Sequence, residues 1–252
     1  MNKLTSTITS IILAVVLLSS CGEIKEEITV NADGSGSYGV SADMIPMMRT
    51  MMYSFAKMSA EEGMDSMDIM AQVEEQLWKD FPEEIDSVLS IDQRLDEDIR
   101  NDPTKMALIE KSTMFMRGGK SKGYMITGLE FEFADDEEFS KFMAVVQEGQ
   151  QKDKQAGMLG ETSQELKITP KSFYRKSTQI KELDDSKFPG STSAMLDEMN
   201  IYTVLKFEKK IKSIDVKGYD IVEKSDNEVK LKFDFTKRVN KGDYSEIKIQ
   251  LK

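Results

Sequence analysis

The chain has 252 residues, enough for one large domain or two small ones with a real core. Its 45 acidic side chains outnumber 34 basic ones, and no stripe of Lys and Arg interleaved with aromatics appears, so nucleic acid is excluded as a partner. With no histidine and a single cysteine, Ser-His-Asp and Cys-His nucleophilic sites, histidine general bases and zinc sites built on His or Cys are excluded as well.

The N-terminus carries Lys3, a polar stretch, and then the apolar run Ile11 to Leu18 before Ser19, Ser20 and Cys21. An apolar core of about ten residues is half of the roughly 20 needed to cross hydrocarbon, so residues 1–20 read as a secretory leader, not a membrane span. Leu18-Ser19-Ser20-Cys21 resembles the bacterial lipobox, in which the cysteine is acylated and becomes the first residue of the mature chain. The alternative is a buried free cysteine beside an uncleaved helix. Each buried acyl methylene contributes roughly 0.8 kcal/mol, so the lipid chains of this class hold a protein on its membrane.

Cleavage removes only Lys3 from the 34 basic residues, leaving 33 against 45 acidic and a net charge of −12. Gly22 carries no aspartate-like inner-membrane retention mark, which points to the outer membrane. Lys25-Glu26-Glu27 reads either as a solvated tether or as the acidic tag that follows the cysteine in surface lipoproteins of Bacteroidota. The acidity predicts a body that stands off anionic lipid on that tether.

In chain order, Ile28, Val30, Tyr38 and Val40 alternate around Asn31 to Gly36, a hairpin with an Asp-Gly turn. The oxygen-rich turn lacks the acidic count and closing glutamate of an EF-hand loop. Met44, Met47, Met48, Met51, Met52 and Phe55 then mark one face of a helix over 43–58, with Asp43 as N-cap and Pro46 in the first turn. This face is either core or a groove for an apolar ligand, since Met is an adaptable filler. Alternatively Met47, Met48, Met51 and Met52 are thioether ligands for Cu(I).

Ile69, Met70, Val73, Leu77 and Phe81 predict a second helix containing Trp78 and ended by Pro82. Ile85, Val88, Leu89 and Leu95 suggest a further short helix, completing a Met-rich, acidic helical segment over about 44–105. Lys111 to Met116 and Tyr124 to Phe133 read as a hairpin around a basic glycine turn, with Leu129, Phe131 and Phe133 on one face. Gly119-Lys120-Ser121 is no P-loop, because Met114 stands where its first glycine belongs and a strand follows in place of a helix.

Asp135 to Glu138 open a helix with Phe139, Phe142, Met143 and Val146 on its apolar face; carboxylates there complement the helix dipole. Residues 147–165 read as a loop. The last third reads as strands: 201–207, 211–216, 219–223, 229–235 including Phe233 and Phe235, and a final one around Ile247, Ile249 and Leu251. The whole predicts a single α+β envelope domain over 21–252, a curved antiparallel sheet of hairpins and a C-terminal strand meander covered by amphipathic helices.

The hairpin ITVNADGSGSYGVSADM after the lipobox, the strand GLEFEFADDEEF running into a helix, and the C-terminal meander resemble uncharacterised lipoproteins of Bacteroidota. More distantly they resemble the LppM-type lipoprotein domain. That resemblance implies an envelope domain that binds or scaffolds, and it carries over no catalytic residues and no cofactor. The expected function is thus a lipid-anchored, non-enzymatic envelope protein, held on the membrane through Cys21, that binds an apolar ligand or a protein partner. Its groove would be lined by Met44, Met47, Met48, Met51, Met52, Phe55, Phe131 and Phe133. A Cu(I) binder and a carboxylate-dependent enzyme are the alternatives.

Overall fold

The computed structural model describes residues 23–59, 65–79, 81–89, 97–152, 162–179, 200–234 and 240–252. The leader, Cys21, Leu95 and Phe235 lie outside the described residues. The chain is α+β, as its pattern predicts, but its described strands form two sheets and not one.

The N-terminal hairpin is β1 (Glu23–Val30) and β2 (Gly36–Asp43). Its turn closes on itself: Asp33 accepts from the Ser35 amide at 2.9 Å and hydroxyl at 2.7 Å, and Asn31 Nδ2 donates to Ser35 Oγ at 2.9 Å. β2 runs directly into α1 (Met44–Ser59), where the Asp43 carboxylate accepts from the Ile45 amide at 3.1 Å. The same oxygen accepts from the Met125 amide at 3.0 Å, tying the helix start to the sheet. α2 (Ser66–Lys79) returns beside α1 and buries Ile69, Val73 and Leu77 of the five residues its periodicity singles out; Met70 is 37% exposed, and Phe81 lies beyond the helix end.

Residues 85–89 are a strand, β3 (Ile85–Leu89), and not the expected helix. Apolar residues at 85, 88 and 89 satisfy a helical spacing, but pairing with β4 (Ser112–Gly119) overrides this weak pattern and leaves Val88 exposed. Ahead of β4 lie α3 (Glu97–Arg100) and α4 (Pro103–Glu110); Asp102 caps α4 by accepting from Thr104 N and Lys105 N. β5 (Tyr124–Phe133) follows and pairs with both β2 and β4.

The expectation of a loop over 147–165 is overturned at both ends. Helix α5 (Asp136–Lys152) runs on to Lys152, and β6 (Thr162–Thr169) begins at Thr162 and pairs with β7 (Ser172–Gln179). β8 (Asn200–Phe207) then enters the large sheet beside β1 and runs parallel to it, from Glu23↔Asn200 to Val30↔Phe207. That is the departure from the all-antiparallel expectation. β9 (Ile211–Lys217) and β10 (Tyr219–Lys224) are nearly continuous yet belong to different sheets. Gly218 makes the corner at φ +75°, where an added Cβ would stand 3.0 Å from Ser245 Cβ. β11 (Glu228–Phe233) and β12 (Tyr244–Leu251) complete the set. The large sheet has the order β10-β11-β8-β1-β2-β5-β4-β3, and the small one β6-β7-β12-β9.

Two cores result. In the first, Ile28, Val30, Leu205, Val229 and Leu231 of the large sheet pack with Phe173, Ile247 and Ile249 of the small sheet and with Phe139, Phe142 and Val145 of α5. The second, formed where β1 begins, holds Ile24, Ala42, Met44, Ile45, Leu77 and Met125.

Helix α5 starts with a reciprocal cap: Asp135 accepts from Glu138 N and Glu138 accepts from Ala134 N, each at 2.8 Å. A hydrogen bond from Lys111, then that from Ala134, holds the Glu138 carboxyl below its ordinary value of 4.5. A depressed carboxyl stabilises the fold fully above the unfolded value and loses that contribution as pH falls through the folded one. Glu138→Gln is therefore expected to lower the urea midpoint at pH 7, with the gap to wild type closing as pH is taken below about 4.5. A gap that is constant from pH 7 to pH 3 would contradict this account.

Candidate functional site

Lys25-Glu26-Glu27 is not a solvated tether, because these residues form the middle of β1, a strand flanked on both sides within the large sheet. Alternation sends Lys25 and Glu27 to the outer face and Glu26 to the inner one. On the outer face Glu27 pairs with Lys25 and Lys206, each at 2.6 Å. Burial pulls its carboxyl up, and the hydrogen bonds from Lys206 and Lys25 more than offset this, leaving it below the ordinary value.

The methionine and phenylalanine candidates separate into the two cores. Met44 is 4% exposed in the second core, with Met48 and Met52 packed against it. The side chains of Met47 and Met51 lie outside the described residues. Phe55, near the end of α1, is 66% exposed. Phe131 and Phe133, 1% and 3% exposed, belong to the first core, where α5 stacks on them: Phe131 on Phe142 at 3.9 Å and Phe133 on Phe139 at 4.7 Å. The expected groove is thus filled by the protein's own side chains at these positions. Among the described residues no three of His, Cys, Asp and Glu converge on a metal-sized site.

On the inner face, Glu26 meets Arg175 of β7. Arg175 Nη1 donates to Glu26 Oε2 at 2.6 Å, Thr203 Oγ1 donates to the same oxygen at 2.9 Å, and Arg175 Nη2 donates to Tyr219 Oη at 3.2 Å. The pair is 11% and 14% exposed. Burial opposes the charge of Arg175, and Glu26 and Tyr219 more than offset it, so the guanidinium is held above its ordinary value. Burial, with Glu26 adding to it, raises the neighbouring Tyr38 hydroxyl far above the ordinary tyrosine range. Arg175 thus links Glu26 and Thr203 of the large sheet's inner face and Tyr219 to the small sheet. The signal for it in the sequence is a charged residue at an inward position between Ile24 and Ile28.

The outer face of the same strands carries an open depression of about 650 Å³. Its floor is β2, where Ser37, Gly39 and Ser41 point outward, between Lys25 and Glu27 on one side and Thr113, Glu130 and Glu132 on the other. Gly39 stands at the centre, paired with Glu27 and with Glu130. A Cβ added to Gly36 would meet Thr29 O at 1.9 Å, and one added to Gly128 would meet the Phe115 ring at 2.5 Å, so packing excludes side chains there. At Gly39 the nearest atoms would be Leu129 O at 3.8 Å and Glu130 Cγ at 3.9 Å, ordinary contacts. Glycine weakens a strand interior, and neither a positive φ nor a neighbour demands it at 39. Sequence reasoning passed over this residue; the signal was a glycine between hydroxyl residues in mid-strand.

No protein-family model matches the chain, and no curated protein matches it. Among solved structures it is distantly similar to the folded domain of the Mycobacterium tuberculosis protein LppM, determined by NMR. The identity is 11% and the TM-score 0.38, over 91% of this chain and 90% of that one.

Proposed function

We propose that this chain is a lipid-anchored envelope protein, held by Cys21, that binds a protein partner on the outer face of its large sheet and catalyses no reaction. The observation that carries the binding site is Gly39: a mid-strand glycine where a side chain would meet only ordinary contacts, at the centre of an open, polar depression. Such a position suits close approach by another backbone. The rim sets the chemistry of that segment. Glu130 and Glu132 are exposed and make no ion pair among the described residues, so they favour a partner that brings a Lys or Arg. The filled positions of Met44, Phe131 and Phe133 favour a polar partner over an apolar ligand. The absence of histidine and the self-contained Glu26–Arg175 cluster support binding over catalysis.

The test is a photo-crosslinking residue placed at Thr113 in the lipidated chain, with and without Gly39→Trp. The indole fills the depression at a position that has room for a side chain. The crosslinked partner is expected to disappear in Gly39→Trp while the melting temperature stays within a few degrees of wild type. An unchanged crosslink would place the binding surface elsewhere. Cys21→Ser is expected to move the protein from the membrane pellet to the soluble fraction, and its retention in the pellet would remove the anchor from this reading.

A further inference from the structure

We infer that the end of the large sheet at which β1 begins rests on the bilayer, with the Lys120-Ser121-Lys122 turn between β4 and β5 in contact with lipid headgroups. This rests on the proposed acylation of Cys21. Only Gly22 separates Cys21 from Glu23, the first residue of β1, and a chain spans at most about 3.6 Å per residue step, so over these two steps the anchor is within about 7 Å of the sheet. That leash is too short for the body to stand off the membrane, and what the body presents at this end, the β4–β5 turn beside the start of α1, meets the headgroups.

The register says what it presents. Ile24 lies level with Ala42 of β2, Ala42 with Thr127 of β5, and Thr127 with Met116 of β4. β5 runs in the direction of β1, because each is antiparallel to β2. Tyr124 is three residues beyond Thr127 towards the anchor, about 10 Å of strand, and Cys21 is likewise three residues beyond Ile24. Strands twist by roughly 20 to 25° from one to the next, so over two strands the advance falls to about 7 Å without reversing. The β4–β5 turn therefore reaches at least as far as the acylated residue can.

The turn is built to hold that position. Lys120 N and Ser121 N donate to the carbonyls of Pro82 and Glu83 at 3.0 Å, and Ser121 Oγ donates to Glu83 O at 2.7 Å. Exposed Tyr124 follows it, a residue type that favours the membrane interface. Lys122 is exposed and has no ion-pair partner among the described residues, while Lys120 faces Glu83 at 3.9 Å and Arg117 faces Asp86 at 3.4 Å. Glu84 lies against Gly119 and Glu23 starts β1 at the same end, so the three basic and four acidic side chains named here leave this surface at −1. The contact is accordingly imposed by the anchor and met by lysine on lipid phosphate, and it needs no anionic lipid.

Acylation leaves no free thiol in the chain, so one introduced cysteine takes a fluorophore uniquely. The full lipidated protein is labelled at Lys122→Cys or at Asn227→Cys, the latter in the β10–β11 turn at the opposite end of the sheet. Each is reconstituted into phosphatidylethanolamine vesicles, with and without anionic lipid, that contain a lipid bearing a nitroxide on its headgroup. Quenching several-fold stronger at 122 than at 227, in both compositions, is the expected result. Equal quenching, or stronger quenching at 227, in protein that floats with the vesicles would overturn this orientation while leaving the anchor intact. Protein that does not float and carries no acyl mass on Cys21 would overturn the anchor and this surface together.

Discussion

Phe142→Ala is expected to destabilise the protein by about 3–5 kcal/mol, a large fraction of the roughly 5–15 kcal/mol of a typical domain. Phe142 is fully buried on α5, lies 4° from coplanar with Phe131, and meets the edge of Tyr38 at 6.2 Å. Truncation removes the burial and leaves a void between helix and sheet. The size of the loss depends on whether α5 can sink into that void, and two contacts oppose it. Near its start Lys111 pairs with Glu138, and towards its end Lys105 Nζ lies 2.5 Å from Glu148 Oε2. Both lysines come from the segment around α4, so the helix is held at two points while the hole lies between them. The loss is therefore expected in the upper half of the range, with a smaller one for Phe142→Leu. Urea unfolding reads both, and a loss under about 1 kcal/mol for the alanine variant would mean that α5 is not committed to the sheet at Phe131.

What could be read without coordinates was local. The β1–β2 hairpin, α1, α2, the β4–β5 hairpin and the capped start of α5 follow from alternation, helical spacing and turn residues within a few positions of each other. The failures fall where a distant partner decides. Ile85, Val88 and Leu89 fit a helix until β4 is beside them. The parallel pairing of β1 with β8 joins residues 23 and 200, and no local pattern reports it. The strands 211–216 and 219–223 are legible in the sequence, but not that Gly218 between them carries the chain from one sheet to the other. The candidate site divided the same way. Met44 and Phe131 lie on apolar faces that the sequence leaves open between core and groove, and their covers are Leu77 and Phe142, far away in sequence or on a separate element. Gly39 was visible as a letter, yet only the distances to Leu129 and Glu130 separate it from Gly36 and Gly128, whose side chains packing forbids.

Arg175→Met is expected to cost about 3–5 kcal/mol, as much as the cavity, through a different cause. The methionine fills most of the space, so the loss is electrostatic: Glu26 is left inside the protein with one neutral donor, the Thr203 hydroxyl at 2.9 Å. Arg175→Lys is not expected to restore the loss. The guanidinium spans two partners at once, Nη1 on Glu26 and Nη2 on Tyr219, and a single ammonium cannot reproduce that fork. Arg175→Met combined with Glu26→Leu is expected to recover most of the stability, since neither charge is then stranded, giving a strong coupling in a double-mutant cycle. The pair joins β7 of the small sheet to a central strand of the large one, at Glu26 between Ile24 of the second core and Ile28 of the first. If the double variant is as unstable as Arg175→Met alone, the pair contributes net stability beyond its own desolvation. If it recovers but unfolds in two steps, the pair's contribution is to make the two sheets one cooperative unit.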